Sequence, residues 1–311
     1  MTLTDLRYIV ALARERHFGR AAERCFVAQP TLSVAVKKLE DELGVVIFER
    51  GGGDLRITPV GERIVAQAER VLNEAAQVKE LAQAGKGGLS GPLRLGAIYT
   101  IGPYLLPALI PRMVQLAPDM PLLIEENFTA RLAEFLKAGE VDAIVVAAPF
   151  IEPGIVTRPL FDEPFRVVMP ASHPWSQREA IQPAELEQEK LLLLGAGNCF
   201  RDQVLRACPR NSGHVGTLQR TLEGSSLETI RHMVASGVGL TVLPSSAADG
   251  LERTNPLLAV KPFAEPAPSR RMLLAWRASF PRLQAIDALI QAIQACALPG
   301  VTRVDRPTSV S

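Results

Sequence analysis

The sequence predicts a multidomain α+β chain: a helical head carrying a short hairpin, one long connecting helix, and two α/β lobes. Three observations predict it. The first sixty residues are short helical patterns broken by tight turns. A single Ala-, Glu-, Gln- and Arg-rich helical stretch follows. Beyond a glycine-rich break, short apolar runs then alternate with helical patterns to near the end of the chain.

Composition sets the bounds. A chain of 311 residues suits two or three compact domains, and 47% hydrophobic with 22% charged residues excludes wholesale disorder. The net charge is +1, from 34 basic and 33 acidic residues, so total charge names no partner. No run approaches the roughly 18 consecutive apolar residues of a spanning helix. The start, Met1-Thr2-Leu3-Thr4-Asp5, lacks the basic-then-apolar order of a secretory signal. A cytoplasmic protein without a membrane partner is expected. Four cysteines (Cys25, Cys199, Cys208, Cys296) are too few for a disulfide scaffold.

In order along the chain, Thr2 and Asp5 form a capping pair ahead of Leu3, Leu6, Ile9, Val10 and Ala13 at helical spacing. A break at 16–19 leads into a second short helix over 20–25. Pro30 fits the first position of a third helix, in which Leu32, Val36, Leu39 and Leu43 form one buried stripe and Gly44 is the stop. Two β-prone runs, 45–50 and 55–59, flank the glycine tip Gly51-Gly52-Gly53-Asp54 and read as a hairpin. Thr58 and Pro59 then start a long helix over about 59–84, whose composition suits packing against a second copy. Residues 85–92 are the clearest linker. Strands are expected at 93–98, 121–125, 142–147, 166–169, 191–194, 240–243 and 272–276, on largely parallel sheets. The chain is expected to cross between lobes near 162–164 and 262–268, and the tail from Pro299 is expected to be disordered.

Residues 18–43 satisfy a helix-turn-helix pattern. In that geometry the second helix enters the major groove, N-terminal residues first. Gln29, Pro30, Thr31, Ser33 and Val34 would face bases, Lys37 and Lys38 would meet phosphates, and Arg50 and Arg56 would grip the backbone beside the hairpin. The alternative is a helical subdomain with a solvated polar face. Nine basic against eight acidic residues in 1–60 lends that alternative weight.

Ordered blocks across this head resemble the LysR-type transcriptional regulators: Leu6-Arg7-Tyr8, His17 to Glu23, Gln29 to Ser33, Leu39 to Gly44, Phe48-Glu49-Arg50 and Thr58 to Gly61. The resemblance covers nearly the whole chain. It implies a winged helix-turn-helix DNA-binding domain (1–58), a linker and dimerisation helix (59–86) and a hinge (87–92). Two lobes like a periplasmic binding protein follow, lobe I over 93–163 with 268–300 and lobe II over 164–267, before a disordered tail at 301–311. It also implies a homodimer or homotetramer on partly palindromic double-stranded DNA, contact with RNA polymerase, and no enzymatic activity.

The stretch Leu191 to Pro209 carries the chemistry. A buried strand ends in a glycine loop, and Asn198 is a natural cap for a helix beginning at Cys199. The helix dipole and nearby Arg201 both favour thiolate at Cys199. Nine helical positions place the Cα atoms of Cys199 and Cys208 about 13 Å apart. A disulfide needs about 7 Å, so joining them would require the helix to unwind. The plainer alternative makes both small core residues, which remains the reading for Cys25 and Cys296.

Cys199-Phe200-Arg201-Asp202-Gln203 with Cys208 nine residues on is similar to the OxyR-type hydrogen-peroxide sensors of the same family. The blocks Gly96 to Tyr104, Ile124 to Thr129 and Ser225 to Arg231 share that resemblance. It implies a peroxide-sensing activator of antioxidant genes, with Cys199 and Cys208 as redox switch and a cellular dithiol as reductant. By the same resemblance Thr100 and Thr129 bind peroxide, Asp202 assists proton movement, and Arg270 or its neighbour Arg271 lies nearby. Asn198 departs from the histidine that many such sensors carry. No cofactor is implied, and His17, His173, His214 and His232 show no metal-ligand spacing. Gly237-Val238-Gly239 reads as a tight turn, and Ser225 to Glu228 as a structural capping box. Two other functions stay open on the residues: a regulator binding a small organic effector between the lobes, and a thiol enzyme such as a peroxidase.

Overall fold

The computed structural model describes residues 1–51, 54–84, 88–207 and 226–304. The chain divides into two compact units, Met1–Gly85 and Lys86–Ser311.

In the first unit, Thr2 caps helix α1 (Leu3–Glu15) and forms a reciprocal capping box with Asp5. Helix α2 (Phe18–Arg24) begins two residues earlier than the sequence suggested, because the His17 ring accepts the Arg20 N–H at 3.3 Å and serves as its cap. The turn that follows holds Phe26 at a left-handed φ of 56°, with its side chain almost fully exposed. Helix α3 (Gln29–Leu43) starts one residue before Pro30 and buries Leu32, Val36 and Leu39. Leu43, expected on the same buried stripe, is exposed in the last turn, and Gly44 ends the helix at a φ of 68°.

The hairpin begins later than expected. Strand β1 (Phe48–Gly51) pairs antiparallel with β2 (Asp54–Ile57), whereas Val45 to Ile47 are not strand. Buried Glu40 of α3 explains this by accepting the N–H groups of Ile47 and Phe48 at 2.7 and 3.0 Å, which binds the connection to the helix. The Thr58 hydroxyl then donates to the Val46 carbonyl at 2.7 Å and accepts the Gly61 N–H at 2.9 Å, starting helix α4 (Pro59–Ala84). Val65 and Ala68 of α4 complete the core formed by Ile9, Leu12 and Leu39.

Gly61 is fixed by contact: a Cβ there would lie 2.4 Å from the Ile47 carbonyl oxygen. Gly61→Ala is expected to cost about 1–3 kcal/mol, because backbone rather than a flexible side chain must yield. An unchanged urea midpoint for the head would rule that out.

The second unit is built on a mixed sheet in the order β4-β3-β5-β10-β6-β8-β7, with β9 and β11 also pairing with β6. The strands are β3 (Leu93–Ile98), β4 (Leu122–Asn127), β5 (Ala143–Ala147), β6 (Ile155–Pro170), β7 (Leu191–Leu192), β8 (Leu240–Pro244), β9 (Leu258–Pro262), β10 (Ser269–Arg277) and β11 (Thr302–Arg303). The expectation of largely parallel sheets is corrected. β3 runs parallel to β4 and β5, and β7 to β8, but β10 and β6 are antiparallel to each of their partners. The reason is topological: β6 carries the chain out of one lobe and β10 brings it back alongside.

Two cores result. One surrounds Leu95, Leu105, Ile144, Leu274 and Leu289, and the other Phe165, Val168, Leu192, Ile230 and Leu243. The first core takes residues up to Phe161 and from Met272 onward, and the second runs from Phe165 to Phe263, so β6 passes through both. Helices α5 (Gly102–Leu116) and α6 (Thr129–Lys137) follow β3 and β4, and α7 (Cys199–Ala207) follows a glycine loop after β7.

Two further expectations are corrected. The described part of the tail, 299–304, is ordered: Thr302 and Arg303 pair with Asp162 and Phe161, and the Pro299 carbonyl accepts the Ser245 hydroxyl at 2.9 Å. The cap of helix Leu227–Ala235 is Ser226, whose hydroxyl accepts the Thr229 N–H, one residue later than the expected Ser225.

Candidate functional site

The ends of β3 and β4 and the loop before α7 converge on one cavity of about 10 Å³. Its lining includes Thr100, Thr129, Gly197, Asn198 and Cys199, with Tyr99 and Phe128 packed edge to face at 5.3 Å. Thr100 and Thr129 belong to the first lobe, and Cys199 begins a helix whose next residue, Phe200, is in the second lobe's core. Cys199 itself is half-buried and packs against the first lobe's core. Asn198 is buried and donates to the Gly195 carbonyl at 3.1 Å, closing the loop. The Thr129 hydroxyl oxygen is buried and has no hydrogen-bond partner among the described residues.

Arg270 and Arg271, adjacent in sequence, part company in space. Arg270 is buried and donates from Nη1 to Thr100 Oγ1 at 2.7 Å and from Nη2 to the Thr100 carbonyl at 2.9 Å. Its Nε meets Glu163 at 2.7 Å, and its guanidinium stands 5.1 Å from the centre of the Phe200 ring. Both side chains of the Arg270–Glu163 pair are 0% exposed. Arg271 is exposed and pairs with Asp162, whose carboxyl that hydrogen bond holds below its ordinary value. Because a guanidinium only donates, Thr100 Oγ1 is the acceptor and the hydroxyl proton is left to be donated elsewhere.

Asp202 is exposed in the first turn of α7 and does not line the cavity. Arg201 donates to the Leu194 carbonyl at 3.1 Å. Cys208 and His214 lie outside the described residues. Burial pushes the Cys25 and Cys296 thiols up, and the Cys296 thiol donates to the Ala292 carbonyl at 3.2 Å.

Further hydrogen bonds join the two lobes through residues that the sequence reading did not place at a site. Gln203, buried, donates from Nε2 to the Ala148 carbonyl of the first lobe at 3.1 Å. The Tyr104 hydroxyl of α5 donates to Glu228 at 3.2 Å, and burial pushes that phenol up. Glu163 gave no sequence signal beyond its position at a lobe crossing.

On the head, Gln29, Pro30, Thr31, Val34, Lys37 and Lys38 are exposed along α3, and Ser33 is half-buried. Lys37 pairs with Asp41 at 3.0 Å, but both are about two-thirds exposed, so the pair is worth little and the lysine remains available to a phosphate. Arg56 is exposed on β2, and Arg50 stands opposite Leu55 in the hairpin register. Among the described residues no cluster of three or more His, Cys, Asp or Glu could hold a metal, and no helix is long and apolar enough to cross a membrane.

Residues 3–62 match the family described as bacterial regulatory helix-turn-helix protein, lysR family, and residues 86–297 the LysR substrate binding domain. The chain is 40% identical over 295 residues to the DNA-binding transcriptional dual regulator OxyR of Escherichia coli K12, covering 95% of each. It is 38% identical over 293 residues to a probable hydrogen peroxide-inducible genes activator of Streptomyces viridosporus, covering 94% of this chain and 93% of that one. Among solved structures, a full-length Pseudomonas aeruginosa OxyR variant is similar at 57% identity and a TM-score of 0.78, covering 98% of this chain and 99% of that one. A Corynebacterium glutamicum OxyR variant bound to H2O2 is similar at 35% identity and a TM-score of 0.62, covering 94% and 91%.

Proposed function

The chain belongs to the LysR family of bacterial helix-turn-helix regulators, as a peroxide-sensing DNA-binding member, and we propose that its switch is a reversible disulfide between Cys199 and Cys208. The observation that carries this is the cavity at Cys199. It is far smaller than the roughly 300–1,000 Å³ of an organic-ligand pocket. That size suits peroxide and leaves no room in this cavity for an organic effector. It brings together the Cys199 sulfur, the Thr100 hydroxyl, whose oxygen accepts from Arg270, and the Thr129 hydroxyl, which has no hydrogen-bond partner among the described residues.

In the first step the Cys199 thiolate attacks one peroxide oxygen. The O–O bond breaks, an S–OH bond forms, and the other oxygen leaves as hydroxide. The Cys208 thiol then displaces the sulfenic oxygen as water, forming the disulfide. A cellular dithiol returns two electrons and resets both thiols.

The second step demands refolding. Cys199 and Ala207, at the two ends of α7, are about 12 Å apart, and successive Cα atoms are 3.8 Å apart. Residue 208 therefore stays beyond about 8 Å of Cys199 wherever it lies, outside the disulfide's reach of about 7 Å, for as long as α7 is intact. Unwinding α7 would pull Phe200 from the second core and Gln203 from Ala148, changing how the lobes hold each other. Exposed Val71 and Val78 on α4 support pairing of two copies, which would transmit that change to paired heads on DNA. RNA polymerase is the downstream partner in this reading, and the chain itself turns over no substrate.

Brief stoichiometric peroxide followed by thiol labelling and peptide mapping tests the switch. The expected result is loss of two hydrogens with Cys199 joined to Cys208. No change, or oxidation scattered to Cys25 and Cys296, would overturn it. Cys208→Ser should instead accumulate sulfenic acid at Cys199.

A further inference from the structure

We propose that Glu163 is a positioning residue for the peroxide reaction, acting through Arg270 on the hydroxyl of Thr100. The inference rests on the peroxide reading of the Cys199 cavity. Glu163 does not line that cavity, and its side chain is fully buried. One carboxylate oxygen accepts Arg270 Nε at 2.7 Å, and the other accepts the Ser246 N–H at 3.0 Å. Both oxygens are thereby fixed, one to each lobe.

The consequence runs outward along the guanidinium. With Nε held by Glu163, Nη1 and Nη2 have one orientation, and both point at Thr100. Thr100 Oγ1 becomes an obligatory acceptor, so its proton is directed away from the arginine and is available to the cavity it lines. As the peroxide O–O bond breaks, negative charge builds on the leaving oxygen, and a donor already aimed there lowers the barrier. Without Glu163, the guanidinium can rotate and Thr100 can turn its proton back. Neutralising Arg270 is Glu163's second task, since an unpaired buried charge is strongly unfavourable.

The test is the second-order rate of Cys199 oxidation by peroxide in the full chain, set against the rate of alkylation by iodoacetamide, which needs no oxygen leaving group. Glu163→Gln is expected to lower the peroxide rate about tenfold, a fraction of the roughly 100-fold or larger loss on removing a direct donor. Alkylation should change little. Thr100→Val should lower the peroxide rate more. The double variant should be no slower than Thr100→Val alone, because Glu163 acts only through that hydroxyl.

A merely structural role would slow the two reactions alike or multiply the two losses, and either result overturns the proposal, as does an unchanged rate in Glu163→Gln. If Glu163→Gln does not fold, Glu163→Asp keeps the charge while shortening the side chain, and the same cycle is run with it. Asp162→Asn, which removes only the exposed partner of Arg271, serves as the unaffected neighbour. A wild-type Cys199 no faster with peroxide than a free thiol would instead sink the peroxide reading itself.

Discussion

A Cys199→Ser protein is expected to bind its DNA within about twofold of the parent and to lose every peroxide-dependent change in footprint. Affinity should survive because the reading head is a compact unit of its own, Met1–Gly85, with its own core. The lost response follows from chemistry. Thiolate attacks peroxide, and a serine hydroxyl is scarcely ionised at neutral pH and does not. No other described cysteine can substitute: burial pushes both Cys25 and Cys296 up, away from thiolate. Footprints of the reduced and peroxide-treated variant should superimpose. A serine protein that still switched would place the sensor elsewhere.

Replacing Arg270 with methionine is expected to cost about 3–5 kcal/mol, lowering the melting temperature of the regulatory unit by roughly 6–20 °C. The cost arises at Glu163, left fully buried with its charge uncompensated. Adding Glu163→Gln to that variant should recover much of the stability but none of the peroxide reactivity, since Thr100 still lacks its donor. The neighbouring Arg271→Met should cost under about 1 kcal/mol, because the Arg271–Asp162 pair is exposed and screened by solvent. Equal costs for the two arginines, read from urea midpoints, would refute the assignment of distinct roles.

What the sequence determined by itself is local. Capping at Thr2, the buried Leu32, Val36 and Leu39, the stop at Gly44 and the start of α4 at Pro59 appear where period and turn chemistry put them. Pro30, however, is the second rather than the first residue of α3, and Leu43, expected on the stripe, is exposed. Two starts, at α2 and β1, were misplaced because side chains captured backbone N–H groups. The His17 ring supplied a cap that propensity does not credit, and Glu40 captured the N–H groups of Ile47 and Phe48 seven and eight residues away.

Strand direction and the ordered tail were beyond sequence reasoning, because hydrogen-bond partners across a sheet leave no periodic trace in either strand. β11 is ordered by pairing with β6, some 140 residues earlier in the chain.

The candidate site divides the same way. The Cys199 block was legible as residue types at a spacing. Its meeting with Thr100 and Thr129, the burial of Arg270 rather than Arg271 against Thr100, and the contact of Glu163 with Arg270 came only from tertiary structure. A strand alternates its side chains, so two adjacent arginines face opposite ways, and only the completed sheet settles which one is buried beside the cavity.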